Sequence, residues 1–158
     1  MTLLNVLEIA LYLAALGILM GISVIDARTR RIPNALNLAL FACGILAIFI
    51  VPQVSIASRL IGAVCVSVPL FLIDLMLPDA FGGGDIKLMA AAGFLLGWPA
   101  TLVAAFIGIC IGGVYGAYLL LLRKKGPRQH FAFGPALCCG IALSLFFGSP
   151  LIAWYLSM

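Results

Sequence analysis

Apolar residues run through this chain in long blocks separated by short polar or glycine-rich segments. Block length, more than any amphipathic period, sets the expected architecture. Residues 3–25 are mostly apolar, carry Glu8 as their only charge, and are long enough for a helix to cross a bilayer. A polar loop is expected at 26–33, followed by a second block at 35–51 that Pro33 and Asn34 are suited to start. After a short loop at 52–59, residues 60–77 form a third block. The run PDAFGGGD at 78–85 is too rich in proline and glycine for helix. A fourth block, 86–96, ends at Gly97-Trp98-Pro99; a fifth covers 100–122 and a sixth 131–153. The expectation is one all-α domain over residues 1–158, with six transmembrane helices.

Composition supports lipid as the solvent for most of the chain: 65% of the 158 residues are hydrophobic and only 9% charged. The net charge of +4 does not point to nucleic acid, because the cations flank apolar blocks and no aromatic-rich basic surface accompanies them. Arg28, Arg30 and Arg31 form one cluster; Arg123, Lys124, Lys125 and Arg128 form another. With both termini outside, the cytoplasmic segments 26–33, 78–87 and 123–130 hold eight of the nine Lys and Arg residues, leaving only Arg59 on the far side. The first block is too long, and lacks the charged start, for a cleaved signal peptide. Cys43, Cys65, Cys110, Cys138 and Cys139 lie within apolar blocks with no CxxC spacing. They suit helix packing better than a zinc site or disulfide framework, and no cofactor is expected.

The fourth block is short. From Asp85 to Trp98 the rise is roughly 20 Å at about 1.5 Å per residue. A hydrocarbon core is about 30 Å thick. With Trp98 at the outer interface, Asp85 lies inside the membrane, and the non-helical backbone at Gly82-Gly83-Gly84 becomes the wall of a cavity.

Candidate chemistry narrows to carboxylates. The single histidine, His130, sits in a basic loop, and HExxH, GxSxG and P-loop patterns do not occur. Of the five acidic residues, Glu8 lies near the outer end of the first block, and Asp79 precedes the glycines. Asp74 is about one turn from the end of the third block, where it can act or simply snorkel. Asp26 closes the first block and Asp85 opens the fourth, so both reach the same membrane face. Two carboxylates sharing a site divide the roles of base and acid without metal or covalent intermediate. Their helix ends favour Asp85 as base and Asp26 as acid, although such a pair titrates as one unit.

These residues fall into a known pattern. GGGDIKLMAAAGFLLGW resembles the GxGD-x-K-L-x-A-x-x-G-x-x-x-G signature of prepilin peptidases, also called type IV leader peptidases. Gly82, Gly84, Asp85, Lys87, Leu88, Ala90, Gly93 and Gly97 fall in register. DARTRRIPN resembles the family's D-x-x-x-x-x-I-P segment, and HFAFGPALCCG its late F-G-P-x-x-x-x-G element. Taken together, the three cover the chain almost end to end.

The resemblance implies an aspartic endopeptidase of the cell membrane, with Asp26 and Asp85 as the catalytic pair. Its substrates would be pilin or pseudopilin precursors, whose short basic leaders it removes on the cytoplasmic side. Gly82, Gly84, Lys87, Asp79 and Asp74 are expected to shape the site or hold the leader. Long members carry an N-terminal domain with two CxxC pairs and also methylate the new N-terminus. This chain has neither feature. Its length resembles the short branch serving Flp-type (tight-adherence) pili, so the expectation covers leader cleavage and not methyl transfer. Gly83 is an extra glycine where the family varies. Without the resemblance, two other classes stay open: a cation path through Asp26, Asp74 and Asp85, or a non-catalytic subunit of an assembly machine.

Overall fold

A computed structural model describes residues 3–77, 81–122 and 133–156. Asp79 and the second basic cluster, with His130, lie outside the described residues. The described chain is all-α. Its helices are α1 (Leu3–Thr29), α2 (Asn34–Ile50), α3 (Ile56–Cys65), α4 (Ser67–Met76), α5 (Gly83–Leu96), α6 (Trp98–Leu122) and α7 (Gly134–Leu156). Each of the six apolar blocks is helical; α3 and α4 share one block, interrupted at Val66. Leu3–Thr29, Ile56–Met76 and Trp98–Tyr118 are long and apolar enough to cross a membrane.

Large apolar side chains cover the outside, including Met20, Leu38, Phe49, Met76 and Phe106. Charged and polar groups such as Asp26, Asn37, Arg59 and Asp85 are buried instead. In water this distribution would be unstable; in lipid it is the expected one, and the chain is a multi-pass membrane protein. Lipid gives helices little hydrophobic reason to associate, so close backbone packing must hold them together. Gly62 of α3 and Gly93 of α5 meet backbone to backbone, each occupying the space that a β-carbon on the other would need.

Three local boundaries differ from the sequence expectation. α1 continues to Thr29, so Asp26 belongs to its last turns and not to a loop. It ends at Arg30, whose φ of 53° is left-handed and whose N–H donates to Asp26 O at 2.8 Å, a helix stop built without glycine. α5 begins at Gly83, placing Gly83 and Gly84 in its first turn and not in an irregular wall. The turn closes because Gly82 O accepts from both Asp85 N and Ile86 N, at 2.9 and 3.3 Å.

The third difference is Arg59. It lies in the first turn of α3, not in the preceding loop, and is fully buried. Ser55 caps that turn, its side chain accepting the Ser58 N–H at 3.2 Å. One terminal nitrogen of Arg59 donates to Phe94 O and Leu95 O at 3.3 and 2.7 Å, the other to Ala47 O and Val51 O, both at 2.9 Å. These carbonyls belong to the C-terminal ends of α2 and α5, where carbonyls carry partial negative charge; Ala47 O also accepts the Val51 N–H at 2.9 Å. A guanidinium, with five donors in a rigid fork, caps both helices at once.

Candidate active site

At the other end of α5, four helix ends converge: the last turns of α1 and the first turns of α2, α5 and α7. Asp26 and Asp85, separated by 59 positions in sequence, are brought together there, 5% and 8% exposed. Asp26 is close enough for its charge to act on Asp85, and Cys138 of α7 lies within electrostatic range of both. Two carboxylates within such reach repel one another when both are charged. That arrangement can take a proton from one group while giving one to another.

Asp26 is held by α7. Its Oδ2 accepts the Gly134 N–H at 3.0 Å across 108 positions of sequence. A β-carbon at Gly134 would lie 2.6 Å from that oxygen, so glycine is what lets the carboxylate sit on the backbone. The contact also alters the argument from helix ends. Asp26 closes its own helix but faces the N-terminus of another, so both aspartates stand at helix N-termini. Helix dipoles no longer separate a base from an acid. The residues before the two site glycines are paired as well: the rings of Phe81 and Phe133 lie 5.9 Å apart at 61°.

The other expected site residues occupy varied positions. Gly82 and Gly84 act through backbone: Gly82 O closes the α5 turn, and Gly84 O accepts Asn37 Nδ2 from α2 at 3.4 Å. Lys87 is exposed and donates to Asn34 Oδ1 at 3.0 Å, joining α5 to the start of α2. Asp74 is half-buried and its Oδ1 accepts the Phe81 N–H at 3.2 Å, steadying the chain that leads into the glycines. Two residues at the site were not singled out from sequence. Gly134 belongs to the F-G-P element, but its contact with Asp26 spans 108 positions and is visible only in three dimensions. Asn37 carries no local signal, since its partner Gly84 O lies 47 positions away in sequence.

Residues 12–117 match the type IV leader peptidase family. The prepilin leader peptidase/N-methyltransferase of Bacillus subtilis (strain 168) is 32% identical over 143 residues, 90% of this chain and 58% of that protein. The protein of the same name from Aeromonas salmonicida (strain A449) is 30% identical over 145 residues, covering 89% of this chain and 50% of its own length. A third, from Legionella pneumophila, is 28% identical over 155 residues, 95% and 54% of the two chains. The chain thus spans about half the length of the curated relatives it matches. No solved structure matches it. A continuous stretch that contains both aspartates matches the family, and the chain belongs to the type IV leader peptidase family.

Proposed function

We propose that this chain is a membrane aspartic endopeptidase that removes the short basic leader from type IV or Flp-type pilin or pseudopilin precursors. The observation that carries the reading is the burial of Asp26 and Asp85 in one site, within electrostatic reach of each other. Family membership supports it over a cation path or a non-catalytic subunit. The site faces the cytoplasm of a chain that spans the inner membrane six times with both termini outside; Arg28, Arg30 and Arg31 beside the site support that orientation.

In the reaction, the charged carboxylate takes a proton from water as its oxygen attacks the scissile carbonyl carbon. The protonated partner then gives its proton to the leaving amide nitrogen as the C–N bond breaks. The products are a leader carboxylate and a free amine on the mature chain. Burial strengthens both proton transfers, because charge developing in a dry site is poorly screened. The relatives' names join N-methyl transfer to leader cleavage. The two carboxylates supply the acid and base that leader cleavage needs.

The test is co-expression with a pilin precursor, reading the size shift on a gel beside an insertion control. Asp26→Asn and Asp85→Asn should each insert normally and abolish cleavage. The double variant should be no worse, because residues that act as a unit lose function together. Cleavage by either single variant near the parent rate would refute the two-aspartate reading.

A further inference from the structure

Each aspartate lies against a glycine that follows a phenylalanine, at Phe81-Gly82 and at Phe133-Gly134. Asp26 Oδ2 accepts the Gly134 N–H at 3.0 Å. Asp85 Oδ2 folds back toward Gly82, where a β-carbon would lie 3.3 Å from it. Both Phe-Gly pairs also open a helix. Phe133 O accepts Ala136 N and Leu137 N at 3.1 and 3.2 Å to start α7, as Gly82 O accepts Asp85 N and Ile86 N to start α5. The Phe133 carbonyl and the Gly134 N–H belong to one planar peptide unit, so the group that starts α7 also holds Asp26. Any tilt of that unit reaches the carboxylate directly.

The two phenylalanine rings meet between these pairs. Their centroids lie 5.9 Å apart at 61°, edge toward face, a geometry that aromatic rings favour beyond simple burial. Each phenylalanine is seated by another part of the bundle. The Phe81 N–H donates to Asp74 Oδ1 of α4 at 3.2 Å. The Phe133 ring lies on Gly112 of α6, so close that a β-carbon there would overlap it. Asp26 is thus tied through Gly134 to α7, and the turn that carries Asp85 is tied through Gly84 O and Asn37 to α2. The ring contact joins the α5 side to the α7 side across the site.

Resting on the peptidase reading, we propose that Phe81 and Phe133 are a positioning pair whose ring contact fixes the separation of the Asp26 and Asp85 carboxylates. Neither ring takes part in the proton transfers. Acid and base must reach one scissile bond together, so their separation acts on the chemical step and not on how tightly the precursor binds. A loose pair therefore lowers kcat and leaves KM near its parent value.

Cleavage of a pilin precursor by the full chain in lipid nanodiscs, with kcat, KM and the thermal midpoint measured separately, tests this. Phe81→Leu and Phe133→Leu keep an apolar side chain and lose the ring contact. Each should lower kcat about tenfold at nearly unchanged KM, less than the roughly hundredfold that a 1 Å misplacement can cost. The double variant should be no slower than the slower single one, because both remove the same contact. Phe81→Tyr keeps the ring and should stay within about twofold of the parent. Gly112→Ala displaces the Phe133 ring without altering either phenylalanine or either aspartate, and should slow kcat as Phe133→Leu does. Should Gly112→Ala not insert, the leucine and tyrosine variants decide; methionine replaces leucine where leucine does not insert. The proposal is overturned if the leucine variants keep the parent kcat, or if their losses multiply in the double variant. It is equally overturned if only KM or the thermal midpoint changes, or if Phe81→Tyr loses as much as Phe81→Leu. A parent chain that cleaves no precursor would refute the peptidase reading itself, so the two failures are told apart.

Discussion

The two ends of α5 handle buried charge in opposite ways. At its C-terminal end the Arg59 guanidinium is fully buried and spends its terminal nitrogens on four carbonyls from two helices. At its N-terminal end, Asp85 and Asp26 are nearly as buried, yet the pair repel, Asp26 is held by one backbone N–H, and nearby Asn37 leaves an acceptor unused. Removing an ion from water costs several kcal/mol unless geometry and hydrogen bonds repay it. Around Arg59 they do so within the fold, which leaves a rigid strut. Around the aspartates the like charges stay opposed, and a single N–H from α7 steadies Asp26.

The largest effect expected from disturbing this contrast is at Gly134. Gly134→Ala pushes a methyl group into Asp26 Oδ2, and misplacing a catalytic group by about 1 Å can cost about 100-fold in rate. Precursor cleavage should fall by that order while membrane levels stay normal; a rate near the parent's would show that the Asp26 contact does not position the carboxylate. Arg59 should do the reverse. Arg59→Met leaves carbonyls unpaired, at about 1–3 kcal/mol for each one kept from other donors, so the thermal midpoint in detergent should drop clearly. The molecules still folded should keep their KM. Arg59→Lys, a point charge that cannot span four carbonyls, should melt between the two. A loss of activity at unchanged stability would place Arg59 in the reaction and dissolve the contrast.

The smallest effects concern Asp74 and Asp79. Exposed charge attraction is worth a few tenths to about 1 kcal/mol, so Asp79→Asn should slow cleavage less than about tenfold, and less still at high salt. Asp74→Asn keeps an oxygen for the Phe81 N–H and should be nearly silent, whereas Asp74→Ala removes it and should lower activity more. Equal losses for the two Asp74 variants would mean that its charge, not its hydrogen bond, matters.

Much of this was legible in the residues. Uninterrupted apolar length announces helices in lipid, so all six blocks appear as helix. Asp26 and Asp85 stood out because carboxylates are scarce in such a chain. By sequence Arg59 ends the short loop at 52–59 on the far side of the membrane. Its burial depends on carbonyls 35 and 36 positions later, which no local pattern reports. The glycines before Asp85 suggested irregular backbone, yet Gly83 and Gly84 lie in the first turn, where a helix has no earlier hydrogen bonds to lose. Asn37 gives no local cue for another reason: the carbonyl that its amide meets, Gly84 O, belongs to a different helix.

Arg59 also orders the birth of the protein. Ala47 and Val51 precede it in synthesis, so α2 can offer two of its four carbonyls as soon as α3 emerges. The other two arrive only with the end of α5. Until then the guanidinium has two of its four carbonyls, and an arginine with unmet donors is costly to take out of water. The full set of Arg59 partners exists only once the end of α5, with Leu95, is in place. A nascent chain stopped before it carries an arginine with nowhere dry to go.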